Sequence, residues 1–474
     1  MLKVLHISAE CYPAAKTGGL GDVVGSLPKY MCQSGVTTGA IIPKYATKWI
    51  SGRSWTTVFG GSVRVDNWWA EFRVQQETGN SLGFPLFVVD VPGLFDRAEI
   101  YGHGDEVERY LVFQQAILKW IQTFPEKPVV LHCHDHHAGL LPWMVKACPE
   151  YRGLSEIPTI FTIHNGNYQG AYSWKNAHKL PFFDADKRWM IDWNGIINPM
   201  AAAIRCAWAV TTVSPSYLLE LHESSLGLEP LFHAEWRKQY GILNGIDAEV
   251  WDPASDPMVA HHFSGNSGDF KWKNKSALLE HFHLDPSLPL IAYIGRMANE
   301  KGADLLPDTI RQYIGSGGRV AFLILGSGDS ATEQAFERLK YQLPGLVDCY
   351  IGYNEALSHQ IYAGADFLIM PSRVEPCGLN QMYSMRYGTI PIVRSVGGLK
   401  DTVTDIDEPN GRGIRFQNFS VDEAANAIHR AAHVWYNHPD SINYLRDRIM
   451  SIDFSWETAV QRYFDVYSRF TYLG

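Results

Sequence analysis

Five short stretches carry residue types suited to phosphates and hydroxyls. In Lys16-Thr17-Gly18-Gly19-Leu20 a lysine precedes a Gly-Gly turn, so a cation and backbone N–H donors could meet one phosphate. A solvated surface lysine is the alternative reading of the same residues. This is neither a P-loop, which needs GK[ST] after four spacers, nor the GxGxxG dinucleotide fingerprint. In Leu131-His132-Cys133-His134-Asp135-His136-His137-Ala138-Gly139, four histidines surround an aspartate. His132, His134 and His136 are expected to alternate on one strand face, and no HExxH or distant Cys/His pair completes a metal shell, so no metal is expected. Asp135 falls where a strand ends, either as a functional carboxylate or as a plain helix N-cap. Thr159-Ile160-Phe161-Thr162-Ile163-His164-Asn165-Gly166 is a second strand with a polar end, where His164 is placed to hydrogen-bond a ligand hydroxyl or only to stabilise its turn.

Two more stretches follow later in the chain. Tyr293-Ile294-Gly295-Arg296-Met297-Ala298-Asn299-Glu300-Lys301-Gly302 puts two cations on one loop, a spacing that suits a diphosphate leaving group if the cations are not simply exposed. Pro371-Ser372-Arg373-Val374-Glu375-Pro376-Cys377-Gly378-Leu379-Asn380-Gln381 combines a carboxylate with a glycine expected to open a helix at 378. Glu375 suits a vicinal diol, and free N–H groups at Gly378 and Leu379 suit a phosphate. Cys377 beside the helix start has no visible base and orienting partner, so it is not read as a nucleophile.

These groups need strand ends to hold them. Short apolar runs at residues 4–8, 38–43, 85–91, 129–134, 159–164 and 209–213 alternate with helical patterns such as 107–124. After Trp251-Asp252-Pro253 the rhythm restarts with strands at 290–295, 319–325, 349–351, 366–371 and 390–394. The βαβα order predicts two doubly wound α/β lobes, Rossmann-like in plan, with ligands at the carboxyl ends of the strands and a cleft between the lobes. The expected division is 1–245, 246–453 and a terminal helical segment 454–474, which packs on its own lobe or crosses back to the first. A hinge is expected near Asn244 to Pro257. An internal echo, Gly18-Gly19-Leu20-Gly21-Asp22-Val23-Val24 against Gly397-Gly398-Leu399-Lys400-Asp401-Thr402-Val403, both GGLxDxV, supports the two-lobe plan.

Composition excludes other classes. The formal net charge of −9 argues against a nucleic-acid binder or an anionic-membrane binder. No apolar run reaches the ~18 residues that a membrane span needs, and the apolar start Val4–Ile7 is too short for a signal peptide before Glu10 arrives. Seven cysteines without a CxxC pair point to a reducing, cytoplasmic setting. Of 15 Trp, eleven precede residue 240, which suits stacking on sugar rings in the first lobe as well as ordinary core filling.

Taken in order, KTGGLGDV, HDHHAG, TIHN, ILNGID, GRMANEKG and PSRVEPCGLNQ resemble the bacterial glycogen and plant starch synthases of glycosyltransferase family five, over residues 3 to about 470. The resemblance implies the GT-B fold. It also implies a retaining glucosyltransferase that extends α-1,4-glucan from ADP-glucose without a metal or other cofactor. It assigns Lys16, Gly18 and Gly19 to the donor phosphates, and Arg296 and Lys301 to the diphosphate. His164 and Glu375 would hold the donor glucose, while Cys377, Gly378 and Leu379 form the sugar-and-phosphate turn. Asp135 would lie near the reacting centre, Asn244 in the NGID segment, Tyr353 against the adenine and Asp22 near the nucleotide. The family's HDWHAG has Trp where this chain has His136; related EPxG glycosyltransferases often carry a second Glu eight residues after the first, where this chain has Tyr383, as the synthases usually do. UDP-glucose or another acceptor is the alternative. The charged groups emphasise a phosphate clamp, and no carboxylate stands out as a nucleophile. The expected course is therefore front-face substitution rather than two displacements.

Overall fold

The structure is a computed structural model that describes residues 2–472; Met1, Leu473 and Gly474, at the ends of the expected first and last segments, lie outside the described residues. The chain divides into two compact units, one running to Asn244 and resuming at Trp456, the other spanning Gly245–Ser455.

The first unit is built on β1 (Val4–Ile7), β2 (Thr38–Pro43), β3 (Trp55–Val65), β4 (Trp68–Glu77), β5 (Leu86–Asp90), β6 (Val130–His134) and β7 (Thr159–Ile163). A two-residue ribbon, β8 (Asp192–Trp193) with β9 (Ile196–Ile197), precedes β10 (Ala209–Thr212) and β11 (Gln239–Gly241). Strands β1, β6, β7 and β10 are buried along their whole length, which is why they read as unbroken apolar runs: parallel strands are covered on both faces. The sheet order is β11-β10-β7-β6-β1-β2-β5-β4-β3. From β1 the chain first winds outward through β2, then returns to β6 and winds the other way through β7 and β10. The switch point therefore lies between β1 and β6, where such sheets bind ligands.

The parallel rhythm expected from the sequence does not extend across this sheet. Strands β3 and β4 form a long antiparallel hairpin, and β4 also pairs antiparallel with β5. The hairpin turns at Asp66, whose φ of 54° is the left-handed conformation that Asp tolerates better than most residues. From Ala70 to Val74 buried and exposed residues alternate on β4, with Ala70, Phe72 and Val74 turned inward, because one face of an antiparallel edge can meet solvent. Trp68 and Trp69, just past the turn, are exposed.

Helix Trp456–Tyr467 belongs to this first unit. Trp456, Val460, Tyr463 and Tyr467 recur at helical spacing and share one core with Val4, Val23, Leu27, Tyr30, Met31 and Val130. The last strand-covering helix is thus supplied by the chain's end.

The second unit carries β12 (Leu290–Ile294), β13 (Ala321–Gly326), β14 (Val347–Ile351), β15 (Phe367–Met370), β16 (Ile390–Arg394) and β17 (Ile414–Phe416) in the order β14-β13-β12-β15-β16-β17. Every pair is parallel. Here the switch point lies between β12 and β15. The later part of the expected hinge is fixed inside this unit. Trp251 is stacked between His359 and Tyr383, at ring separations of 3.9 and 3.8 Å. Asp256 Oδ2 is 2.6 Å from both His359 Nδ1 and the Tyr387 hydroxyl.

Candidate active site

In the first unit the polar ends of β1, β6 and β7 lie side by side at the carboxyl edge of the sheet. The chain leaving β1 reaches Glu10, which is 3% exposed and is the organising carboxylate of the following loop. Glu10 accepts from Thr17 N at 2.7 Å, Thr17 Oγ1 at 2.7 Å, Gly18 N at 3.1 Å and Tyr101 OH at 2.6 Å. The expectation that this turn offers its N–H groups to an anion is therefore corrected for Thr17 and Gly18, which already serve Glu10. Lys16 is also partnered, with Nζ 2.6 Å from Asp22 Oδ1, and both side chains remain partly exposed. A Cβ built on Gly18 or Gly19 would meet nothing within 4 Å, so packing does not demand these glycines, and the backbone there is open to close approach.

Asp135 follows β6 with φ 53° and ψ 179°, a strained conformation for a non-glycine residue. That turn is the reason His136 does not continue the strand face of His132 and His134. β6 stops at His134, and His136 opens a 3₁₀ turn with its ring 3.7 Å from that of His137. The expected three-histidine alternation is corrected accordingly. Asp135 Oδ1 accepts the backbone N–H of His164 at 2.8 Å, tying the end of β6 to the end of β7. Burial pushes the Asp135 carboxyl up to about 7, against the lowering pull of the His164 and Asn165 N–H groups.

In the second unit the loop after β12 and the turn after β15 meet beside the switch point. Lys301 Nζ lies 2.7 Å from Glu375 Oε1, and Ser372 Oγ donates to Glu375 Oε2 at 2.9 Å. Glu375 is 4% exposed, so both oxygens are held away from bulk water by named donors. Arg296 is exposed and reaches Glu300 at 2.9 Å. The two cations of this loop therefore each have a carboxylate of their own and do not point at one shared protein group. Cys377 is buried, and Gly378 has φ 72°, which favours glycine. The helix starts at Asn380, two positions later than expected, with Leu379 as its cap residue. Gln381, unremarked in the sequence, shapes the turn: its Nε2 donates to the carbonyls of Cys377 and Gly378 at 3.1 and 2.9 Å.

The internal glycine echo has unlike roles in the two units. A Cβ on Gly397 would lie 2.1 Å from the Glu375 carbonyl oxygen, and one on Gly398 would lie 2.0 Å from that of Cys377. The second glycine pair is therefore a packing surface that supports the Glu375 turn, whereas the first is open. Tyr353 follows β14 and is 78% exposed, with its hydroxyl 3.2 Å from Glu355 Oε2. Asn244 is buried, and its Oδ1 has no hydrogen-bond partner.

Residues that sequence reasoning missed share one property: they act on the backbone of a motif rather than belong to it. Glu10, Tyr101, Ser372 and Gln381 are of this kind. The one signal available was Glu10, a lone carboxylate directly after an apolar strand.

Among the described residues, His6, His132 and His134 form the one group whose ligand-type atoms could surround a metal ion. All of their ring nitrogens but His6 Nε2 are already engaged. His6 Nδ1 is 2.9 Å from His134 Nε2, and His132 is bonded to the Tyr467 hydroxyl at 2.7 Å and to Thr162 Oγ1 at 2.5 Å. No helix among the described residues is long and apolar enough to cross a membrane.

Two α/β units, the first with a mixed sheet and the second with a parallel one, each with candidate residues at strand carboxyl ends beside its switch point, have the architecture of a glycosyltransferase of the GT-B fold. Residues 3–234 match the starch synthase catalytic domain family and residues 288–433 match the group 1 glycosyl transferases. The glycogen synthase of Flavobacterium johnsoniae is 45% identical, covering 98% of this chain and 99% of its own. That of Geobacillus stearothermophilus is 35% identical over 99% of this chain and 98% of its own. The catalytic domain of starch synthase IV from Arabidopsis thaliana, solved bound to ADP and acarbose, superposes with a TM-score of 0.89 at 33% identity, covering 99% of both chains. Sucrose-phosphate synthase from Thermosynechococcus elongatus shares the fold alone, with a TM-score of 0.62 at 17% identity. The chain belongs to the glycogen and starch synthase family and is a glucosyltransferase of glycogen synthesis.

Proposed function

We propose that the enzyme transfers glucose from ADP-glucose to the non-reducing end of an α-1,4-glucan, with retention of configuration and without a metal or cofactor, in the cytoplasm. The observation that carries this reading is the group Arg296, Lys301 and Glu375, set at the ends of β12 and β15 on either side of the switch point. Two cations and a buried, acceptor-only carboxylate suit a diphosphate beside a polyhydroxylated ring. The ADP and acarbose bound to the related starch synthase IV support the same donor and acceptor chemistry.

The roles follow from that placement. Arg296 and Lys301 neutralise charge on the departing diphosphate, and Lys16 adds a third cation. Gly18 and Gly19 leave room for backbone approach to the phosphates, and Asp22 steadies Lys16. Glu375 and His164 bind sugar hydroxyls. Cys377, Gly378 and Leu379 shape the turn beneath the sugar and phosphate, Tyr353 stacks on the base, and Asn244, in the NGID segment, contributes to substrate binding.

Front-face substitution fits the carboxylates better than two displacements. A covalent route needs an ionised nucleophile ~5 Å from an acid. Both Glu375 oxygens are occupied by Lys301 and Ser372, and Asp135 is held by the His164 N–H with its carboxyl raised to about 7. In the front-face course the bond from C1 to the diphosphate oxygen breaks as the acceptor oxygen bonds to C1 on the same face, and the diphosphate oxygen takes the acceptor's proton. A radiolabelled transfer assay on glycogen tests the function, with ADP-glucose and UDP-glucose as donors, EDTA present or absent, and Lys16→Ala and Glu375→Ala alongside. Label should enter from ADP-glucose, survive EDTA and fall in both variants. Transfer from UDP-glucose alone overturns the donor assignment, and a trapped glycosyl adduct on Asp135 or Glu375 overturns the front-face course.

A further inference from the structure

Behind His164 the core contains a line of imidazoles that the proposed reaction does not use directly. His164 Nε2 lies 2.9 Å from His134 Nδ1, and His134 Nε2 lies 2.9 Å from His6 Nδ1. The three residues come from three neighbouring strand ends, β7, β6 and β1, at 8%, 0% and 0% exposure. The line ends at His6 Nε2, which is buried without a partner. His132 lies alongside, its ring 4.3 Å from that of His134, but it bonds to Tyr467 and Thr162 instead.

Burial holds these rings in the neutral form: His6 and His164 are each lowered to about 3, and His134 well below its ordinary value. A neutral imidazole has one N–H and one lone pair. His134 therefore donates at one nitrogen and accepts at the other, and both bonds must run in the same direction. If they run from His164 toward His6, the line ends on a buried His6 Nε2–H with no acceptor. If they run from His6 toward His164, it ends on a bare lone pair. Orphaned buried N–H groups are the rarer of the two, so the second direction is favoured. His164 Nε2 is then an acceptor, and the ring proton sits on Nδ1.

We propose that His6 and His134 are positioning residues that fix His164 in its Nδ1–H tautomer, so that its outward nitrogen donates a hydrogen bond to a hydroxyl oxygen of the donor sugar. The proposal rests on the reading that His164 contacts that sugar. Without the line, His164 samples both tautomers, and only one of them can donate from Nδ1.

Histidine-selective ¹⁵N NMR of the full-length enzyme reads the tautomer through couplings to the ring carbon-bound protons. Nδ1 of His164 should be protonated in the wild type. In His6→Phe, which keeps a ring but removes the first donor, His164 should show a mixture of tautomers. That variant should lose roughly tenfold in affinity for ADP-glucose, the equivalent of one hydrogen bond, while its affinity for ADP is unchanged. A wild-type His164 protonated at Nε2 overturns the proposal, whatever the variants do. So does a His6–His134 pair that is unprotonated at the facing nitrogens and metal-bound on elemental analysis. If His164→Ala binds ADP-glucose and ADP as the wild type does, the reading that His164 meets the sugar fails too. The wild-type spectrum thus separates the two failures.

Discussion

Lys301 Nζ and Glu375 Oε1 stand 2.7 Å apart across 74 residues of chain, one at the loop after β12 and the other at the turn after β15. Glu375 is almost wholly buried, whereas the Lys301 side chain stays partly exposed, at 5% and 28% side-chain exposure. The pair therefore does two things. It supplies a counter-charge that a buried carboxylate requires, and it holds a lysine at the edge where a phosphate would arrive.

Lys301→Ala removes both. Loss of one clamp cation should reduce kcat by ~10²–10³, and the unpaired Glu375 should lower folding stability as well. Arg296→Ala should lower kcat by a comparable factor and leave stability nearly unchanged, because Arg296 is exposed and its partner Glu300 is a surface neighbour one turn away. Steady-state kinetics with urea unfolding on each variant checks this. Equal stability losses in the two would remove the distinction.

Asp135 gives a pH prediction. Its carboxyl is raised to about 7, chiefly by burial. A carboxyl with a raised folded-state value contributes stability that is complete below about pH 4, the unfolded value, and is lost as pH rises through about 7. His6, His164 and His136 act in the opposite sense. Burial lowers them to about 3, 3 and 4, so their contribution is present above about pH 6.5 and is lost as pH falls toward those values. Asp135→Asn removes only the first slope, so its stability relative to the wild type should rise steadily between pH 4 and 7. Urea midpoints across that range test it, and a pH-independent difference would disprove the assignment.

The chain's last helix offers a test outside the site. Trp456 is 1% exposed within the core that joins the C-terminal helix to β1, β6 and helix Gly19–Gln33. Trp456→Ala should cost ~3–5 kcal/mol and should destabilise the first unit, which carries Asp135 and His164, before the second. Hydrogen exchange should show protection lost first at β1 and β6. Loss first at β12 and β15 would contradict the assignment of this helix to the first unit.

What the sequence made legible was set by burial. Parallel strands such as Val4–Ile7 and Leu290–Ile294 are apolar because both faces are covered, so they announce themselves within a residue or so. The β3–β4 hairpin is exposed or half-buried along most of β3 and only partly buried along β4, and it carries Trp68 and Trp69 on its surface, a pattern that a search for apolar runs passes over. At the site, Lys16, Asp135, His164, Arg296, Lys301 and Glu375 were visible because short motifs at strand ends contain them. Glu10 was not, because its role is to hold backbone N–H groups of residues 17 and 18. The imidazole line was not, because it depends on sheet register: His6 pairs with His132, and His134 with Thr162, across strands far apart in the chain. The Gly397–Gly398 pair read only as an echo of Gly18–Gly19, and the approach of the Glu375 and Cys377 carbonyls is what shows it to be a support.

His136 stands where the resemblance implies a tryptophan, and the structure makes that difference testable. Its ring packs against Gly170, where even a Cβ would lie 2.4 Å from His136 Cδ2, so Gly170 must remain glycine for the imidazole to fit. The same side chain lines a cavity of about 150 Å³ bounded by Leu111, Gln114, Leu140, Gly170 and Tyr172. An indole at this position can extend into that space rather than displace the backbone, so His136→Trp should fold with little loss of stability. The new aromatic face would be available for stacking on a sugar ring, whereas Arg296, Lys301 and Glu375, which are assigned to the donor, belong to the other unit. His136→Trp should therefore raise affinity for maltooligosaccharides severalfold and leave ADP-glucose affinity unchanged, measured as separate KM values with each substrate varied. Equal shifts in both KM values would place His136 with the donor, and no shift in either would leave it a packing residue.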